Sequence, residues 1–284
     1  MKRTVLITGA SSGLGLHTAI AAGRAGFTPI ATMRDLSRSG ELQKAAADAG
    51  VEVDIRQLDV TDHRGIEDCV RGVIATHGRL DALVNNAGIG NNVPTIELAD
   101  LAAYRANFEV NFFGVLAVTK AALPHLRRTG GRVVTIGSSR GLISQPFNEA
   151  YSAAKAAVSG FMESLAPVAA GMGVTVVMVE PGPVLDTNYA TNVGISREWL
   201  IATSGPYEPV LVPYLDWVAR TGWPGAQPAH EVAAIVVGAL TDPDPDFRIV
   251  TSDWVREYAS LKFADIDGNQ VRAMTRSWVG SVRP

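Results

Sequence analysis

A tyrosine and a lysine four residues apart occur twice in this chain, at Tyr151-Ser152-Ala153-Ala154-Lys155 and at Tyr258-Ala259-Ser260-Leu261-Lys262. Residues at that spacing share one face of a helix, so either pair could set a phenol beside an ammonium. A free phenol titrates near pH ~10. A neighbouring cation favours the phenolate and lowers that value. Such a tyrosine can pass a proton to or from an alcohol or carbonyl oxygen at neutral pH. The chain has only five lysines, and two of them complete the pattern. Spacing alone does not choose between the pairs.

The elements that must position either pair are legible as short β-branched runs alternating with longer Ala-rich amphipathic stretches. Strands are expected at residues 4–8, 28–33, 51–58, 82–84, 132–137, 174–179 and 248–251. Helices are expected near 14–25, 38–49, 63–77, 98–127, 149–171 and 230–240. This order is that of βαβ units, and the nearly unbroken apolar character of the strands fits a sheet buried on both faces. The expected fold is α/β, a doubly wound parallel sheet of about seven strands with helices on both faces. Residues 1–284 read as one such domain, with a Pro-, Gly- and aromatic-rich lid at about 188–229 and a C-terminal extension at about 253–284.

Composition narrows the function classes. The chain is 47% hydrophobic and 19% charged with a net charge of −3, which suits a soluble protein with a large core and gives no basic footprint for nucleic acid. The single cysteine, Cys69, cannot form an internal disulfide and reads as a small apolar residue on a helix. His17, His63, His77, His125 and His230 are scattered without metal-ligand spacing, so no metal is expected. No secretion signal is evident, because the apolar run Val5-Leu6-Ile7 ends at Thr8-Gly9. The apolar stretch at 165–179 is broken by Pro167, Gly171 and Gly173, so it does not read as a membrane span. A cytoplasmic protein without membrane association is expected.

The first strand runs into Thr8-Gly9-Ala10-Ser11-Ser12-Gly13-Leu14-Gly15, and a helix follows at once. Small residues there let the backbone approach a pyrophosphate, whose charge sits at the helix N-terminus. The spacing resembles the TGxxxGxG loop of the short-chain dehydrogenase/reductase family, which has a Rossmann fold and binds a nicotinamide dinucleotide. Further segments resemble it in order. Asp59-Val60 lies where the family contacts adenine, and Asn86-Ala87-Gly88 lies where it lines the cofactor. Asn111 follows on the next long helix. Glu180-Pro181-Gly182-Pro183-Val184-Leu185-Asp186-Thr187 resembles the segment that contacts the nicotinamide carboxamide, with Thr187 one position late.

The resemblance implies cofactor contacts from Gly9, Ser11, Ser12, Gly13, Leu14, Gly15, Asp59, Val60, Asn86, Ala87, Gly88, Tyr151, Lys155, Pro181, Gly182, Val184 and Thr187. At the end of the second strand an acidic residue holds a ribose hydroxyl, whereas an arginine accepts a 2′-phosphate. Here Met33 is followed by Arg34, which favours NADP(H), and Asp35 next to it keeps NAD(H) open.

The same resemblance separates the two pairs. Ser138 precedes Tyr151 by 13 residues, as in the family, and follows the apolar run Arg132-Val133-Val134-Thr135-Ile136-Gly137. Tyr258 has Pro245 at that separation. Tyr151 is therefore the expected proton donor and acceptor, with Lys155 lowering its pKa and holding the nicotinamide ribose. Ser138, rather than the adjacent Ser139, is expected to hydrogen-bond the substrate oxygen, and Asn111 to anchor a water.

The phrases Ala31-Thr32-Met33-Arg34-Asp35-Leu36 and Gln145-Pro146-Phe147-Asn148-Glu149 resemble the hydroxysteroid and retinol dehydrogenase-like branch. A small hydrophobic alcohol, ketone or aldehyde is the expected substrate, met by Ile143, Gln145, Phe147, Tyr189 and the lid. All five tryptophans lie beyond residue 198. Lid aromatics can serve the substrate, or they can bury the lid on the body or another subunit. By analogy the chain forms a homodimer or homotetramer. Two other readings stay open: an NAD(H)-linked alcohol dehydrogenase, and a catalytically idle dinucleotide-binding sensor or scaffold.

Overall fold

In the strand Arg3–Ile7 (β1), Val5 and Ile7 enter one apolar core and Leu6 enters another, because successive side chains leave a strand on opposite faces. The same division recurs at Ala82–Asn85 (β4), Arg132–Ile136 (β5) and Thr175–Glu180 (β6), where Val84, Val134 and Val177 face the first core and Leu83, Val133 and Met178 the second. Neither face of the sheet is left to water. That is why these strands are apolar at nearly every position.

The computed structural model of the chain describes residues 2–90, 95–187, 196–222 and 224–279. Tyr189 and Trp223 lie outside them. With Phe27–Met33 (β2), Asp54–Gln57 (β3) and Arg248–Val250 (β9), the strands form one seven-stranded parallel sheet in the order β3-β2-β1-β4-β5-β6-β9. The short strands Val184–Leu185 (β7) and Gln227–Pro228 (β8) pair separately. Helices Gly13–Arg24 (α1), Gly40–Ala49 (α2) and Ala229–Thr241 (α10) cover the first face. His63–His77 (α3), Gly114–Thr129 (α5) and Glu149–Ala170 (α7) cover the second. The chain winds outward from β1 to β3 and then returns to place β4 beside β1. Between those two strands lies the switch point at which open α/β sheets bind ligands.

Two elements differ from the sequence reading. The third strand starts at Asp54 rather than 51 because α2 ends in a Schellman motif: Gly50 is left-handed at φ 64°, its N–H donates to Ala47, and Val51 N–H donates to Ala46. The single helix expected over 98–127 is Leu101–Phe108 (α4), a π turn at Glu109–Phe113, and α5. In the region assigned to the lid, the described residues form Arg197–Thr203 (α8), a 3₁₀ turn and Glu208–Thr221 (α9). The C-terminal extension folds as Asp253–Ala264 (α11) and Asn269–Arg276 (α12). Among the described residues no helix is long and apolar enough to cross a membrane.

The start of β1 is fixed by Asp81, whose carboxylate accepts the Thr4 N–H at 2.8 Å and both donors of Arg79. Burial works against that charge, but the Arg79 and Thr4 hydrogen bonds outweigh it and hold the carboxyl below its usual range. A depressed carboxylate adds stability above its unfolded pKa of about 4 and loses it as pH falls through the lower folded value. Asp81→Asn is expected to cost about 1–3 kcal/mol in denaturant unfolding near neutrality, with the gap to the parent protein closing on acidification below about pH 4.

Candidate active site

The glycine loop is docked on the end of β4 through reciprocal hydrogen bonds. Thr8 Oγ1 accepts the N–H groups of Asn86 and Ala87, each at 3.0 Å, and the Asn86 amide donates to the carbonyls of Thr8 at 2.9 Å and Gly9 at 3.0 Å. This closeness excludes side chains. Gly9 has φ 68°, and a Cβ there would lie 2.8 Å from the Ala87 Cα. A Cβ at Gly15 would run into the Gly9 carbonyl and the Asn86 amide. The first turn of α1 carries no acidic residue, and the Ser12 side chain makes no capping bond to it. Its positive end therefore faces the loop without a protein anion, a cradle that fits a pyrophosphate.

Just before Thr187, Asp186 adopts φ 55°, a left-handed conformation uncommon outside glycine, and bends the chain. Thr187 then donates to the Val184 carbonyl at 3.1 Å and lies against Gly13, where a Cβ would be 3.2 Å from its methyl group. Pro181 is fixed by the Ser139 N–H at 2.8 Å, and Gly182 lies against Val255. Asp59 accepts the N–H and hydroxyl of Thr61, while Val60 packs on Gly114 at the start of α5. Arg34 is exposed just past β2, and its guanidinium makes no hydrogen bond to the described residues. Asp35 turns back to accept the Ser37 N–H at 2.9 Å and caps the following turn. That bond and the nearby Arg38 and Arg34 hold its carboxyl low.

Asn111 sits within the π turn, a helix irregularity frequent at functional sites. Its Oδ1 accepts the Ile89 N–H at 2.9 Å, and its Nδ2 donates to the Ile89 carbonyl at 2.9 Å and to Asn107 Oδ1 at 2.8 Å. Both donors of the amide are thus occupied by protein, while its Oδ1 accepts one bond and keeps a second lone pair. Asn111 and Lys155 both approach Gly88: a Cβ there would meet Asn111 Oδ1 at 3.0 Å and the Lys155 ammonium at 4.0 Å.

Lys155 is buried and donates to the Ile136 carbonyl at 2.7 Å. Its ammonium lies 5.8 Å from the centre of the Tyr151 ring. Ser138, immediately beyond the Gly137 that follows β5, is the N-cap of a short helix, Ser139–Leu142 (α6). Its Oγ accepts the Arg140 N–H at 3.2 Å, which leaves its own O–H to donate elsewhere. The four expected catalytic residues therefore gather around the carboxyl ends of β4 and β5.

Of the residues expected at the substrate, Gln145 is buried, and its Oε1 has no hydrogen-bond partner among the described residues. Phe147 packs on Tyr214 with ring centres 5.3 Å apart. Ile143 is fully enclosed. Tyr189 is outside the described residues.

Two groups escape the sequence reading. The Arg140 guanidinium lies 6.0 Å from the Tyr151 ring centre, on the second residue after Ser138. Glu180, the last residue of β6, is buried and accepts the Ser138 N–H at 2.6 Å. A signal for the first was its place in the serine loop. The second depends on β6 lying beside β5, which no local spacing encodes.

The second pair is also placed. Tyr258 stacks on Trp254 and Trp278 with centres 4.8 and 6.2 Å apart, while Lys262 is exposed. Burial raises the Tyr258 phenol well above its ordinary value, with Arg140 acting the other way.

Residues 3–197 match the family described as short chain dehydrogenase, and the chain belongs to it. The chain is 35% identical to human 17-beta-hydroxysteroid dehydrogenase type 1 over 99% of its own length and 88% of that protein's. It is 42% identical to bovine retinol dehydrogenase 8, over 64% of this chain and 59% of that one. The crystal structure of a short-chain dehydrogenase from Streptomyces avermitilis superposes with a TM-score of 0.76 at 30% identity, covering 98% of each chain. These similarities support the hydroxysteroid and retinol branch of the family.

Asn111→Ala removes the acceptor of the Ile89 N–H and one of the two amide donors to the Ile89 carbonyl, the other being Asn107 at 3.4 Å. The expected result is a loss of about 1–3 kcal/mol, with faster amide exchange at residues 87–90. Unchanged exchange there would show that the amide does not hold this segment.

Proposed function

We propose that the chain is an NADP(H)-dependent oxidoreductase that interconverts a hydrophobic ketone or aldehyde with the corresponding alcohol. The observation that carries this reading is the buried Lys155 ammonium 5.8 Å from the Tyr151 ring centre, beside Ser138 at the end of β5. A nicotinamide dinucleotide, when bound, supplies or accepts the hydride. The glycine loop and the first turn of α1 receive its pyrophosphate. Tyr151 gives its proton to the oxygen of the forming alcohol and takes it back in oxidation. The Ser138 hydroxyl donates to that same oxygen and orients it. Lys155 favours the phenolate by its charge and approaches Gly88 alongside Asn111.

The choice of NADP(H) rests on Arg34. It stands exposed where a 2′-phosphate is received, while Asp35, the acidic rival for a ribose hydroxyl, is engaged with Ser37. A hydrophobic substrate accords with the aromatic surroundings of Phe147 and Tyr214.

Turnover of steroid ketones, retinal and small aryl and alkyl ketones, followed by nicotinamide absorbance with NADPH and NADH in parallel, tests this. Tyr151→Phe is expected to lower kcat by about 10²–10⁴ while cofactor binding persists. Arg34→Ala is expected to lower kcat/KM for NADPH by about tenfold or more, a lost charge-assisted contact, and to leave that for NADH nearly unchanged. Equal losses with both cofactors would overturn the assignment of Arg34. Tight NADPH binding with no turnover of any carbonyl would favour the sensor reading.

A further inference from the structure

Glu180 has no part in the proton transfer just described. It is only 1% exposed at the end of β6, a position that requires a reason. Carboxylates are rarely buried so fully without a partner. Its Oε2 accepts the Ser138 N–H at 2.6 Å, and its side chain fills the space over Gly137, where even a Cβ would collide with it. Backbone bonds from Gly137 to Val179 and from Ser139 to Pro181 flank that contact, each at 2.8 Å. Ser138 is therefore held between two main-chain ties by a carboxylate.

The charged groups acting on Glu180 are Arg248 from β9 and Lys155 from α7, with Glu163 of α7 paired to Arg248 behind them. β5 faces it with the backbone of Gly137 and Ser138. Arg248 stops short: its Nε is 3.9 Å from Glu180 Oε1, and neither atom has a hydrogen-bond partner among the described residues.

We propose that Glu180 is a positioning residue for the reaction, holding the Ser138 hydroxyl in place through the Ser138 N–H and changing the strength of that hold as its carboxyl gains or loses a proton. This rests on the oxidoreductase reading above. Hydrogen bonds to an ionised acceptor are roughly twice as strong as neutral ones, so the hold is firmer when the carboxylate is charged. Burial pushes this carboxyl up to about 7, against the opposing Ser138 N–H, Arg248 and Lys155. The sign for stability follows. A carboxyl raised above its unfolded value contributes most below that value, and the contribution is lost as pH rises from about 4.5 to about 7. Turnover moves the other way, gaining as the carboxylate forms.

The test uses two variants of the full chain. Glu180→Gln keeps the reach and an acceptor oxygen without the charge, and Glu180→Asp keeps the charge without the reach. In the parent protein the Ser138 amide resonance is expected to titrate with a midpoint near neutrality, and in Glu180→Gln to stay flat. In turnover, Glu180→Gln is expected to lose about tenfold in kcat with KM for the cofactor unchanged, and to lose the step near neutrality from its pH profile. Glu180→Asp is expected to keep a titrating carboxyl but not to recover kcat. A Ser138 amide that does not titrate in the parent protein would overturn the proposal. So would Glu180→Gln with the parent's kcat and pH profile and only a changed melting temperature. A titrating amide in a protein that reduces no carbonyl would instead sink the oxidoreductase reading and leave the Glu180–Ser138 coupling standing.

Discussion

The junction between Thr8 and the Asn86–Ala87 peptide decides where the rest of the site can be. Strands β1 and β4 are neighbours in the sheet, and the junction extends their pairing past the last ladder bond into the two loops. The Asn86 amide spans the carbonyls of Thr8 and Gly9 and so fixes the first bend of the glycine loop. On its other side the same segment runs through Gly88 to Ile89, the residue that Asn111 grips at both its N–H and its carbonyl. One stretch of four residues thus ties the dinucleotide cradle to the region of Lys155. The glycine loop and the region of Lys155 are linked because they share this backbone.

What the sequence made legible follows the range of each physical signal. Strand positions were readable because both faces of the sheet are buried, so that the middles of β1, β5 and β6 are apolar on both sides. The glycine loop was readable because its requirement for small residues is local. The choice of Ser138 and Tyr151 came from the family resemblance, whose 13-residue separation they match, and the fold brings them to the ends of adjacent elements. The π turn around Asn111 left no mark, since Glu109 to Phe113 carries no glycine or proline to announce an irregularity. Glu180 was invisible as a site residue for a different reason. Its partner Ser138 is 42 residues away, and only the pairing of β5 with β6 brings them together.

Charge at the site is unevenly distributed. Two cations, the Lys155 ammonium and the Arg140 guanidinium, lie near the Tyr151 ring at 5.8 and 6.0 Å from its centre. The buried carboxylate of Glu180 stands behind Ser138, in contact with backbone. Positive charge therefore stands beside the ring. Arg140 extends the same field outward. It opposes the rise that burial imposes on Tyr214, which is pushed up to about 12, and it acts on Tyr258 in the same sense.

Three of the five tryptophans, Trp217, Trp254 and Trp278, belong to one stack of rings. Phe147, Tyr214, Trp217, Trp278, Tyr258 and Trp254 follow one another with centres between 4.5 and 6.2 Å apart. They join the loop before α7, the lid helix α9 and the C-terminal helices. Phe147 holds φ 58°, a strained conformation for a bulky residue that costs on the order of 1–3 kcal/mol. Such strain persists only where packing over-determines it, and the stack supplies that packing. The loop bearing Gln145 and Phe147, four residues ahead of Tyr151, is thus braced by residues more than 100 positions later in the chain. Displacing α9 or the C-terminal segment removes the brace from Phe147, so residues far along the chain help to fix the loop that leads into Tyr151.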